Sequence, residues 1–404
     1  MIASNKNFLI KYNILKNNIS NKNKSRITNS LFEILSKINF KKDIFHQFSK
    51  KCSLDFKKKD LTKYKKFKNI VIIGMGGSIQ GSKAIYGFLQ KKIKKNLIFF
   101  DNPEHKYIEK KLNKINLKQT LYIIISKSGN TIETLTMVNM IKKGFLNSKN
   151  TIIITEKKKS ALYEFSKKYR IKLIEHKNYI GGRYSVLSEV GLLPSYLMGL
   201  NIDEFKKNIL NLFKKDRIKI LVKNLSLLTE YYSLNKIKTI VFLNYAPEVK
   251  EFLFWLQQLI SESLGKKGRG LLPKISTAPK DHHSLLQLYL DGPKDKLFYV
   301  ISSKASNNQK ITQNYFNKNF NFISGKNLFK IIDAQQKAVV KVFKKKNIPL
   351  IEIKINKFSE KTLGELFAYF MIETIVVGKN LKINPFDQPA VEEVKKLTKK
   401  ILTN

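Results

Sequence analysis

Residues 121–135, LYIIISKSGNTIETL, set three hydroxyls (Ser126, Ser128, Thr131) and one amine (Lys127) close together behind an apolar run. Such a turn collects unpaired backbone N–H groups, and the helix after it adds the positive end of its dipole, a combination that suits a phosphate. An ordinary N-capped strand–helix loop has the same composition, so the stretch alone leaves both readings open. Residues 74–78, GMGGS, form a second glycine and serine turn. It is not a dinucleotide fingerprint, because Ile79 stands where a third glycine is needed. Nor is it a P-loop, because Gly81-Ser82-Lys83 has the order reversed. What remains is Gly77 and Ser78 at a strand end, where a ligand could approach the backbone closely. A tight turn without a ligand is the alternative.

Four further stretches carry usable side chains. Gly181-Gly182 frees the backbone before Arg183, one of five arginines in the chain. An arginine held in that way suits an anion, although a surface turn would look the same. Gln258 and Glu262 are four apart and project from one helix face. Glu262 lies between Ile260 and Leu264 with no basic residue before Lys266, so partial desolvation would fit it for general-base work. A solvent-facing glutamate is the plain alternative. His282 and His283 follow Asp281, but no further ligand set stands nearby to make a metal site. Pro389 is expected to start a terminal helix, with Gln388 and Lys395, seven apart, on a shared face. His46 and His176 have no acidic partner in view and read as structural or loop residues.

The elements needed to position these groups follow from the apolar pattern. Short β-branched runs at 70–73, 96–100, 121–125 and 151–155 alternate with helical stretches, which argues a parallel sheet with helices on both faces. Ligand sites in such sheets lie at the carboxyl ends of the strands, where both glycine and serine turns fall. Runs at 239–244, 296–302 and 349–355 predict a second α/β sheet, and the apolar stretch 362–381 an internal or interface helix. The boundaries read as a helical extension over 1–66, an α/β domain over 67–202, a helical bridge over 203–235, a second α/β domain over 236–385 and a terminal helix over 386–404.

Composition narrows the class. A chain of 404 residues exceeds one ordinary core. Cys52 is the single cysteine, so no intrachain disulfide or thiolate zinc cluster forms, which fits a reducing cytoplasmic setting. Neither a signal-peptide core nor a run of membrane-spanning length is present. The formal charge of +47 is almost entirely lysine spread along the chain. Bidentate phosphate and base readout lean on arginine, so no specific nucleic-acid partner is expected.

Taken together, GMGGS (74–78), SKSGNTIET (126–134), GGRYS (181–185), QLISES (258–263), HHSLLQ (282–287) and FDQPAVEEVK (386–395) occur in the order seen in the glucose-6-phosphate isomerase family. The resemblance extends from about residue 69 to the C-terminus. It implies two sugar-isomerase, flavodoxin-like α/β/α sandwich domains with parallel sheets and helical N- and C-terminal extensions. It further implies a homodimer that interconverts glucose 6-phosphate and fructose 6-phosphate without metal or organic cofactor. By the same resemblance, Gly77, Ser78, Ser126, Lys127, Ser128 and Thr131 hold the sugar phosphate, with Gln258 close by. Glu262 is the base, Arg183 beside Gly182 stabilises the enediolate, and His283 enters from the partner subunit. Lys395 works with His283 on the ring oxygen, and Glu133 and Gln388 match further active-site positions. His283 is preferred over His282 by its spacing to Gln287.

Some positions depart from the family pattern. Glu189 stands where a small residue or proline is usual, Ala390 replaces a frequent glycine, and the chain is short. A related aldose–ketose isomerase that also accepts mannose 6-phosphate is the alternative within the class. Two readings outside that class are a non-catalytic sugar-phosphate sensor and a basic nucleic-acid-binding protein.

Overall fold

The computed structural model describes residues 2–4, 7–13, 21–142, 144–234, 236–304, 310–313, 315–316 and 318–403. Two sheets organise the chain. The N-terminal stretch supplies β1 (Ile2–Ser4), β2 (Phe8–Asn13), α1 (Asn21–Lys37) and the short α2 (Lys58–Leu61). The first sheet contains β3 (Asn69–Gly74), β4 (Asn96–Phe100), β5 (Thr120–Ile125), β6 (Thr151–Thr155) and β7 (Lys172–Glu175). Its helices are α3 (Gly77–Leu89), α4 (His105–Leu112), α5 (Ile132–Asn139), α6 (Ala161–Lys168) and α7 (Glu189–Leu197). The strands run β4-β3-β5-β6-β7, all parallel. β5 is buried on both faces, as its unbroken apolar run requires. Gly74 pairs opposite Ile125, so the turns after β3 and β5 leave the same edge side by side.

After α8 (Lys215–Ser233) the second sheet takes β8 (Thr239–Asn244), β9 (Leu272–Thr277), β10 (Lys296–Ser303) and β11 (Leu350–Ile355). The helices of this part are α9 (Lys250–Leu264), α10 (Leu286–Asp291), α11 (Leu328–Lys345) and α12 (Glu360–Asn380). The order is β1-β2-β11-β10-β8-β9, with β8 to β11 parallel. Here the structure departs from the expected helical N-terminal extension, because β2 pairs antiparallel with β11 and β1 with β2. The cause is a two-residue period: Phe8, Ile10 and Tyr12 are buried and the residues between them are not, the signature of a half-buried strand.

α12 is buried from Thr362 to Gly378, which makes it the internal helix of the two alternatives. Its Gly364 lies so close to Phe205 that a Cβ there would sit 1.8 Å from the Phe205 carbonyl oxygen. α13 (Ala390–Thr403) is the opposite case, since it has no buried residue. Among the described residues no helix is long and apolar enough to cross a membrane.

Candidate active site

Three loops and one helix end meet at the carboxyl edge of the first sheet. In the turn after β5, the Ser126 and Thr131 hydroxyls are 2.8 Å apart and the Gly129 N–H donates to Ser126 Oγ at 3.2 Å. Ser128 Oγ lies 3.4 Å from Thr131 Oγ1 and accepts from the Asn130 N–H at 3.2 Å. Thr131 caps α5 without a side-chain bond to its first turn, leaving the N–H groups that begin a helix free for an anion. Lys127 reaches sideways, donating to the Asn178 carbonyl at 2.7 Å and standing 3.9 Å from Glu156. Burial lowers its pKa; Glu156 opposes this, while Lys158 and Arg183 add to it.

The glycine turn after β3 packs closely against the GGRYS segment. A Cβ on Gly77 would fall 2.2 Å from the Gly182 carbonyl carbon and 2.5 Å from the Arg183 nitrogen. The bare Cα therefore admits the neighbouring backbone and lets the GGRYS turn reach the edge. Gly76 has φ of +51° and faces Gln258, whose Nε2 would lie 2.8 Å from any Cβ there. Ser78 is buried in the first turn of α3.

Arg183 stands at the centre of the site. Its guanidinium is 2% exposed, and every donor is used. Nε donates to Ser263 at 2.8 Å, and Nη2 to the carbonyls of Pro385 (2.6 Å) and Asp387 (3.1 Å). Nη1 donates to Glu262 Oε2 at 3.3 Å and to Gln388 Oε1 at 3.2 Å. Glu262 Oε1 also accepts from Gln258 Nε2 at 2.8 Å. The Glu262 carboxylate keeps 30% exposure, so two directed hydrogen bonds, not an apolar wall, define its surroundings. It is thereby aimed and open on one side, which suits a group that takes and returns a proton.

A sequence model of the phosphoglucose isomerase family, by that description, matches residues 11–404. This chain belongs to that family. Glucose-6-phosphate isomerase from Methanocaldococcus jannaschii is 34% identical over 358 residues, 84% of this chain and 86% of the relative. The enzyme of that name from Campylobacter jejuni is 33% identical over 353 residues, 83% and 86% of the two chains. Among solved structures, a hypothetical protein from Thermus thermophilus matches with a TM-score of 0.83 at 24% identity, over 95% of this chain and 96% of that one. A glucose-6-phosphate isomerase from Chlamydia trachomatis gives a TM-score of 0.79 at 19% identity, covering 99% and 89%. These structural likenesses concern the fold.

Two of the positions matched to this phosphoglucose isomerase family stand apart from the cluster. His283 is exposed on the turn after β9, whose His282 meets the Tyr245 hydroxyl at 2.6 Å at the carboxyl end of β8. Burial, then the neighbouring His283, holds the His282 pKa low. Glu262 lies at the other end of α9, about 18 Å along the helix at 1.5 Å per residue. Lys395 is 61% exposed and pairs with Glu392 at 2.6 Å. The shared face expected for Gln388 and Lys395 is not realised: α13 starts at Ala390, and Gln388 turns instead to Arg183. Glu133 is exposed in the first turn of α5. His176, read as a loop residue, is 1% exposed, and burial pushes its pKa down to about 4.

Glu189 is buried too, accepting from the Asp55 N–H at 2.8 Å; burial raises its pKa. Residues not anticipated from sequence are Tyr184, Ser263, Trp255 and Lys266. Lys266 fixes the 384–387 segment by donating to Asn384 O and Asp387 O, both at 2.5 Å. The signal for two of them was adjacency: Tyr184 follows Arg183, and Ser263 follows Glu262 on an apolar helix.

Proposed function

We propose that this chain is a glucose-6-phosphate isomerase, interconverting glucose 6-phosphate and fructose 6-phosphate as a cytoplasmic homodimer. The observation that carries the reading is the Gln258–Glu262–Arg183 array beside two hydroxyl-bearing turns on one sheet edge. Ser78, Ser126, Ser128, Thr131 and Lys127 seat the phosphate, remote from the reacting carbons, so that binding energy orients the sugar. With the ring open, Glu262 removes the proton from C2 of the aldose. The electron pair moves into the C1–C2 bond, the former carbonyl oxygen gains negative charge, and a cis-enediolate forms. Arg183 Nη1 offsets that charge. The hydroxyl proton on O2 passes to O1, which moves the negative charge to O2; as the C2 carbonyl forms, Glu262 returns its proton to C1, giving the ketose.

Ring opening needs an acid and base at the ring oxygen, assigned to His283 and Lys395. The length of α9 between Glu262 and the His282–His283 turn supports a site completed by His283 of a second copy. The two sheets correspond to units at about 67–202 and 236–385, the second completed by the N-terminal strand. A coupled assay with fructose 6-phosphate tests the reaction: we expect turnover that survives chelator, and no turnover would contradict it. The same assay with mannose 6-phosphate tests the wider specificity.

A further inference from the structure

Arg183 has five N–H donors, and they divide into two groups. Nε and one Nη2 donor go to buried partners, Ser263, which is 0% exposed, and the Pro385 carbonyl, while the other Nη2 donor goes to the backbone carbonyl of the exposed Asp387. Only Nη1 faces side chains that solvent also reaches, Glu262 and Gln388. Behind the guanidinium, Tyr184 completes a closed set. Its hydroxyl donates to Pro385 O at 3.0 Å and lies 2.8 Å from Ser263 Oγ. With its own proton given to Pro385, Tyr184 accepts from Ser263, which in turn accepts from Arg183 Nε. Burial raises the Tyr184 pKa, so the hydroxyl keeps its proton. Trp255 Nε1 pins the Arg183 backbone carbonyl at 3.2 Å.

We propose that Tyr184 and Ser263 are positioning residues that lock Arg183 through Nε and the Pro385 carbonyl, leaving Nη1 as the nitrogen presented to the substrate. This rests on the isomerase reading above. The physical reason is the geometry of a planar fork: fixing one edge of a guanidinium fixes the direction of the remaining N–H bonds. A charge that develops at one oxygen is stabilised well only by a donor already aimed at it. Neither Tyr184 nor Ser263 needs to touch the sugar, and both are 0% exposed. Binding of the phosphate, at the other turn, is not their task. Their loss therefore falls on kcat and spares KM.

The test is a set of kinetic constants for fructose 6-phosphate with the full chain and its Tyr184→Phe and Ser263→Ala variants, in the wild-type and in the Arg183→Lys background. Each variant is expected to lower kcat about tenfold while KM stays within about threefold, because one aiming hydrogen bond is lost. The double variant should fall little further than the worse single one, since both act on one group. In the Arg183→Lys background, where no fork exists to be aimed, Tyr184→Phe should leave kcat within about twofold. A residue that merely supports the fold would lower the thermal midpoint in both backgrounds without this difference. Wild-type kcat in both single variants, or an undiminished loss in the Arg183→Lys background, would overturn the assignment. A wild type without turnover removes the isomerase reading and this inference with it, whereas an active wild type with unaffected variants removes only the inference.

Discussion

The two sheets offer the same frame at their carboxyl edges and fill it differently. In the first, Gly74 pairs opposite Ile125, and the strands lead into GMGGS and into Ser126–Lys127–Ser128. In the second, Asn244 pairs opposite Ile301; β8 leads into Tyr245-Ala246-Pro247-Glu248, while β10 continues through Ser302 and Ser303 to Lys304. Ser302 thus takes the register position of Ser126, but inside the strand, where it pairs with Lys354. At the second edge, however, a bulky Tyr245, 5% exposed, follows the strand, whereas at the first the glycines admit the Gly182 backbone and the Gln258 side chain. Pro247 has no N–H to offer, and Glu248 puts a negative charge in the first turn. Topology sets where a site could form; side-chain size and charge decide which edge becomes one.

Substitutions that exchange these features should separate the edges. Among these exchanges the largest effect is expected from Gly77→Ala, whose new methyl would meet the Gly182 backbone at 2.2 Å. That backbone carries Arg183, so displacing it should cost kcat/KM at least about a hundredfold, the scale for a misplaced catalytic group. Ser126→Ala should come next. It removes the bonds to Thr131 and to the Gly129 N–H and should lower kcat/KM about tenfold, mainly through KM, whereas Ser302→Ala at the equivalent place should stay within about twofold. Equal losses in the two serine variants would break the comparison.

A third contrast lies under the sheets. Glu373 of α12 is buried beneath the second sheet, accepting from Tyr12 at 2.8 Å and Tyr299 at 3.3 Å, with Tyr369 beside them. Burial pushes its pKa up to about 7, and the tyrosine hydrogen bonds only partly offset this. A carboxyl whose pKa is higher folded than unfolded binds more protons when folded, so stability should fall as pH rises from about 4.5 to about 7, by roughly 3 kcal/mol in all. Glu373→Gln should flatten that slope in denaturant titrations. Smallest of all, Tyr12→Phe should cost about 1 kcal/mol, the worth of one buried hydrogen bond holding the added strand to α12.

Much of this was legible in the residues. The apolar runs at 70–73 and 121–125 read as buried strands, and the glycine and serine turns after them fell at the edge where parallel sheets bind ligands. Phe8–Asn13 escaped notice because lysine and asparagine dilute its alternation, although the two-residue period was present. The partners of Arg183 were harder. Two are carbonyls of Pro385 and Asp387, and every residue type has a carbonyl, so sequence cannot point to them. The backbone contact of Gly77 with Gly182 was not legible either, since a glycine kept for backbone contact looks the same in sequence as one kept for a ligand. His283 and Lys395 could be matched by motif alone, because one copy of the chain does not bring them to Glu262.

Steady-state kinetics of Glu262→Gln reach furthest into the account. The amide keeps the size of the side chain and one oxygen to accept from Gln258 or Arg183, but cannot take the proton from C1 of the ketose or C2 of the aldose. We expect kcat to fall by about a thousandfold or more, within the span of general-base catalysis, with fructose 6-phosphate still bound at near-normal affinity. A variant that turns over within about tenfold of the wild type would contradict the assignment of the base, and with it the site drawn around Arg183.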